Sequence, residues 1–124
     1  MVSNELLRFW ITEVTNLQGI SMDADKVVDD VVLVAFTFDD PEVFSTIMNN
    51  VVVALQLIIQ QRNIGQELIG GKTGWNSFHF QSQRKQKQNA DMRIVYQDTG
   101  TTIRVMGCGH RRIPDDIYQR LSKR

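Results

Sequence analysis

The sequence predicts an α+β fold: a small antiparallel sheet of about four strands, helices packed on one of its faces, and a short C-terminal helix. Three observations predict it. Apolar residues recur at helical spacing over 3–19 and again over 41–61. Segments 31–38, 75–81 and 92–109 are β-branched, aromatic or alternating, as strands are. A turn at Asp98-Thr99-Gly100 joins the last two apolar runs as a hairpin. Helix, strand, helix and then a three-strand meander gives helices on one sheet face.

Each element has its own warrant. Over "SNELLRFWITEVTNLQG", Ser3 caps a helix whose apolar face is Leu6, Leu7, Trp10, Ile11, Val14 and Leu17, and Gly19 stops it. "ISMDADKVVDD" reads as an acidic connection. Its aspartates lack the glycine and closing glutamate of a calcium loop, so no metal site is expected. "VVLVAFTF", residues 31–38, is apolar at both parities and reads as a central strand buried on both faces. "DDPEVF" then opens a helix, with Asp40 as cap, Pro41 in the first turn and Glu42 at the positive end of the dipole. Phe44, Ile47, Met48, Val51, Val52, Leu55, Ile58 and Ile59 form its core face. "GGKTG" does not complete a phosphate loop, because Gly65 precedes Gly70 by five but Lys72 does not directly follow Gly70.

In "WNSFHFQ", Phe78 and Phe80 point one way while Ser77, His79 and Gln81 point the other. The polar run 82–91 reads as a mobile hairpin loop whose Arg84, Lys85 and Lys87 suit either solvent or phosphate. In the next strand, Arg93, Val95 and Gln97 share a side. Pro114, Asp115 and Asp116 are expected to open a last helix that ends in basic residues.

The formal net charge is zero, but residues 1–70 hold three Lys/Arg against ten Asp/Glu, while 71–124 hold eleven against four. Such a split points to an anionic partner for the basic half or to neutralisation of one half by the other within the fold. A single cysteine, Cys108, excludes an intrachain disulfide and fits a reducing, cytoplasmic setting. No signal peptide is read at the start. The apolar run "VVVALQLII" is about half the length of a membrane span, so no membrane is expected.

Residues 64–124 resemble the RelE/ParE superfamily of small bacterial toxins, and 31–61 fit the same fold loosely. The carriers are "ELIGGKTGWNSFHFQ", "RIVYQ", a short turn, an apolar strand, and "GHRR" leading to the tyrosine of "IYQRL". Within the resemblance, residues 31–124 form the toxin domain and 1–30 an acidic helical arm, either completing the core or acting as a self-inhibitory or dimerising element.

In the RelE branch the resemblance implies a metal- and cofactor-independent endoribonuclease that cuts messenger RNA at the ribosome and is paired with an antitoxin. In the ParE branch it implies a gyrase inhibitor without a nuclease site. A binder of some other host protein is the further alternative. Arg93 and Arg111 match the arginines that hold the scissile phosphate. His79 falls at a catalytic position, and Tyr118 lies near the C-terminal active-site tyrosine; Tyr118 or His110 is then the second proton carrier. Ser77 stands where the nuclease branch often has another basic residue. Arg84, Lys85, Lys87, His110 and Arg112 are the expected RNA contacts. Arg104, Arg120, Lys123 and Arg124 read as further solvated basic surface. A homodimer or a toxin–antitoxin hetero-oligomer are the assemblies left open.

Overall fold

A computed structural model describes all residues, 1–124. The elements are α1 (Asn4–Thr15), β1 (Ile20–Ser21), α2 (Ala24–Thr37), α3 (Pro41–Gln60), β2 (Gln66–Glu67), β3 (Asn76–Phe80), β4 (Met92–Asp98), β5 (Ile103–His110) and α4 (Ile117–Leu121). The fold is α+β with a short C-terminal helix, as the sequence predicts. Its five-stranded sheet has the order β1-β5-β4-β3-β2. The strands β2 to β5 are antiparallel, and β1 adds a two-residue parallel edge on β5.

Two helix starts follow their caps. Ser3 Oγ accepts from Leu6 N, and Asp40 Oδ1 accepts from Glu42 N and Val43 N ahead of Pro41. By length and composition α3 could cross a bilayer. Here it is a core helix, since Phe44, Ile47, Met48, Val51, Ala54, Leu55 and Ile58 are buried against the sheet and the other helices.

Residues 31–38 are the first correction. Residues 31–37 belong to helix α2, Phe38 caps its end, and the segment is not a central strand. Val27, Val31, Val34 and Ala35 are buried at three- and four-residue spacing, whereas Val28, Val32 and Phe36 line the outer face and are exposed. That outer stripe made the segment look apolar at both parities. Tertiary packing of the inner stripe overrides the β preference of valine. The division expected at residue 30 therefore falls inside α2.

The second correction concerns the faces of the sheet. Phe78, Phe80, Met92, Ile94, Tyr96, Ile103, Val105 and Cys108 face α1, α2 and α3. The opposite face is not bare. There α4 lays Ile117 and Leu121 onto Val95, with Leu68, Trp75, Met106 and Tyr118 around them. The close approach needs Gly107, because a Cβ there would collide with Leu121 and Arg124. This helix starts at Ile117 with Asp116 as its cap, one turn later than the sequence suggests, and the Ile113–Pro114 bond before it is cis.

The C-terminal turn is also tied across the edge of β5 to α2. Asp30, 1% exposed, takes Arg120 Nη1 at 2.7 Å and Arg124 Nη2 at 2.6 Å, and accepts from Cys108 N at 2.9 Å. The guanidinium groups also reach the carbonyls of Cys108 and Met106. Arg120 and Arg124 are therefore structural ion-pair partners and not solvated surface. Asp30→Ala is expected to cost about 3–5 kcal/mol in urea unfolding, because it strands two arginines and an N–H. Replacing all three charges by apolar residues of similar size should cost less than that single change. Equal losses would show that the pairing does not carry the effect.

Candidate functional site

The second sheet face is laid out in rows by the strand register. His79 pairs with Arg93, which pairs with Gly109. Ser77 pairs with Val95 and then Gly107, and this middle row lies beneath α4. Just past β5, Arg111 N bonds to Asp91 O at 2.7 Å, which holds the chain beside β4 as the strand ends. Both Arg93 and Arg111 lie close enough to His79 for their charges to act on its titration. The loop 111–117 is closed by Ile117 N donating to Arg111 O at 3.1 Å, which returns α4 to the same corner.

Tyr118 joins that corner through two contacts. Its hydroxyl is 2.8 Å from Ser77 Oγ, a side chain only 1% exposed, and the Arg111 guanidinium carbon lies 4.8 Å from its ring centroid. The four residues expected to be catalytic thus share one corner of one sheet face. Ser77 carries no charge, but it contributes by fixing the tyrosine hydroxyl. Sequence alternation gave Ser77 its direction and could not give it that partner.

Asp116 was not singled out as a site residue, yet it organises the corner. One carboxylate oxygen accepts from Tyr118 N at 2.9 Å, capping α4, while the other lies 2.7 Å from Arg111 Nη1. The Arg111 guanidinium at that distance comes first among the causes that hold the Asp116 carboxyl below its usual range, and the capping N–H groups add to it. Arg111 is therefore charge-paired at rest. Arg93 has no carboxylate partner; its Nη1 donates to Ala90 O at 2.9 Å and Met92 O at 3.0 Å, and its buried Nε has no partner.

The remaining expected RNA contacts lie elsewhere. His110 is on the core side of β5, opposite Met92, with its ring 6.1 Å from Phe38 and its Nδ1 accepting from Arg112 N and Ile113 N. It is a turn-forming side chain on the face of the sheet opposite His79, although the charge of Arg93 acts on it as well. A register shift in the β4–β5 ladder at Val95/Tyr96 places it there: Ile103 and Val105 face the core before the shift, and Cys108 and His110 after it. Arg84 and Lys85 rim a separate groove of about 420 Å³ on the helix side, with Val53, Leu57, Phe78 and Phe80 in its wall. Lys87 and Arg112 are exposed.

Comparisons with family models, with curated proteins and with solved structures find no match for this chain. The protein class defined by fold and site is a small α+β domain with a basic, histidine-bearing corner on one sheet face.

Burial, then Arg93, then Arg111 push the His79 pKa below its ordinary value. Burial chiefly lowers His110 too, partly offset by Asp91. Both imidazoles should titrate below the unfolded value of about 6.5 in a two-dimensional NMR pH series. Since the unfolded chain then binds protons more readily, stability should fall as pH drops through that value. Arg93→Gln should move His79 upward towards the ordinary value; an unchanged His79 titration would remove Arg93 from its surroundings.

Proposed function

We propose that this chain is a toxin of the RelE-like type: a metal-independent endoribonuclease acting on messenger RNA, at the ribosome, in the cytoplasm, and restrained by a cognate antitoxin. The single observation that carries the reading is the meeting of His79, Arg93, Arg111 and Tyr118 at one corner of one sheet face. The resemblance in "RIVYQ", "GHRR" and "IYQRL" supports it independently of that geometry.

The chemistry follows from the groups. Cleavage is an internal transesterification in which the ribose 2′-oxygen attacks the adjacent phosphorus and the 5′-oxygen leaves. His79, whose lowered pKa keeps it neutral at pH 7, takes the 2′-hydroxyl proton. Arg93 and Arg111 donate to the non-bridging oxygens, where negative charge grows in the phosphorane. The Tyr118 hydroxyl, held by Ser77, gives a proton to the departing 5′-oxygen. Phosphate competes with Asp116 for Arg111, so ligand binding exchanges one anionic partner for another.

A second reading has its own observation. Because Arg111 is already neutralised by Asp116 and Ser77 supplies no charge, the same corner suits a non-catalytic ParE-like binder of gyrase or another host protein. Induced expression separates the two. Mapping message 5′ ends should show codon-phased cuts for the nuclease, whereas intact message with altered plasmid supercoiling would select the binder. Arg111→Ala should lower cleavage about 10²–10³-fold, the scale of losing one preorganised donor to a developing oxyanion, in a protein that still folds. A folded Arg111→Ala protein that cuts at the original rate would refute the assigned role.

A further inference from the structure

The molecule has two cation–π pairs, and both lie on the second sheet face, on either side of α4. One is Arg111 on Tyr118, within the corner described above. The other is Arg104, whose guanidinium carbon is 5.5 Å from the Trp75 ring centroid. Trp75 packs with Val95, Ile117 and Leu121, which puts its ring on the α4 side of the sheet. Gln97 and Arg104 are register partners on β4 and β5, and Trp75 directly precedes Asn76, whose partner is Tyr96, so continuing the register puts Trp75 in a third row with them, parallel to that of His79 and Arg93. The row lies about 13 Å from His79, four residues along one strand at the usual rise.

Arg104 is exposed and makes no ion pair. Among the other arginines, Arg62, Arg111, Arg120 and Arg124 all hold carboxylates. Arg104 leans back over an aromatic ring, and a hollow of about 140 Å³ opens beside the pair, with Met106, Asp23 and Lys26 in its wall, Lys26 lying 3.8 Å from Asp25. A flat guanidinium seated on an indole is a ready surface for a nucleobase. Unpaired bases stack on arginine planes and aromatic rings, whereas duplex bases hide their faces.

We propose that Trp75 and Arg104 form a second nucleotide subsite, taking a base of the same single RNA strand whose phosphate is held at Arg93 and Arg111. The inference rests on the nuclease reading and extends it. The strand lies across the face with α4 as a ridge between two contacts, one gripping the phosphate under attack and the other clamping a base further along. The subsite contributes only to substrates long enough to span the ridge, and it tolerates sequence variation because every base has a π face.

The test uses the full chain and fluorescently labelled single-stranded RNA that carries one 2′-deoxy nucleotide to block cleavage, in a series of increasing length. Arg104→Gln and Trp75→Leu should each weaken the long strands about ten-fold, the scale of one lost stacking contact, and leave a dinucleotide unaffected. Arg104→Lys should recover little, since it keeps the charge but not the plane. Arg104 is exposed, so its variants report on binding even where Trp75→Leu disturbs the packing beneath α4. If both Arg104 variants bind every length as the parent does, while Arg93→Gln weakens all of them, the subsite is wrong and the corner stands. If Arg93→Gln has no effect at any length, the nuclease reading fails, and the subsite fails with it.

Discussion

A buried carboxylate governs the architecture. Asp30 sits on α2 at the edge of the sheet, where β5 runs beyond its short pairing with β1 and would otherwise present unbonded N–H groups to an apolar helix. A charge taken so far out of water persists only when its lone pairs are filled, and here they are filled by two guanidinium groups and a backbone N–H. Both guanidiniums come from the last five residues of the chain, so α4 cannot leave its sheet face without exposing that charge. Because α4 carries Tyr118 and is capped by Asp116, the network fixes the candidate site from behind.

The same network gives a physical meaning to the charge split between the halves of the chain. Arg120 and Arg124 from the basic half are used on Asp30 from the acidic half, and Arg62 crosses in the other direction to Asp98. Part of the imbalance is thus absorbed internally, as one of the two sequence expectations had it. What is left positive is distributed between places: Arg93 at the corner, where Arg111 is paired with Asp116, Arg104 beyond α4, and Arg84 and Lys85 at the helix-side groove.

Local rules made much of this readable in advance. Ser3 and the Asp40–Pro41 pair announce their helices because a cap acts within three residues. Alternation in "WNSFHFQ" and "MRIVYQ" sets Phe78 against His79 and Ile94 against Arg93, and the sheet keeps those directions. What escaped depends on contacts between distant residues. Nothing within "VVLVAFTF" says that one valine stripe meets the core while another faces water. Nothing near His110 reveals that one extra residue in β5 turns its side chain to the core side. The partnerships of Asp30 with Arg120 and Arg124 span about ninety positions, beyond the reach of any periodicity.

The electrostatics of the corner have a consequence for proton transfer. With no anion bound, burial first, and then the charges of Arg93 and Arg111, disfavour the imidazolium of His79. In the proposed nuclease, a phosphate held between those arginines would oppose their field, and in the phosphorane the opposing charge would be larger still. The affinity of His79 for a proton would then rise as the 2′-hydroxyl became more acidic through attack on phosphorus. Transfer would be driven by the substrate's own charge, so under that proposal a histidine with a depressed resting pKa need not be a poor acceptor. A neutral side chain at position 93 would leave His79 more basic at rest and supply less of that change, which separates basicity from catalytic capacity at this site.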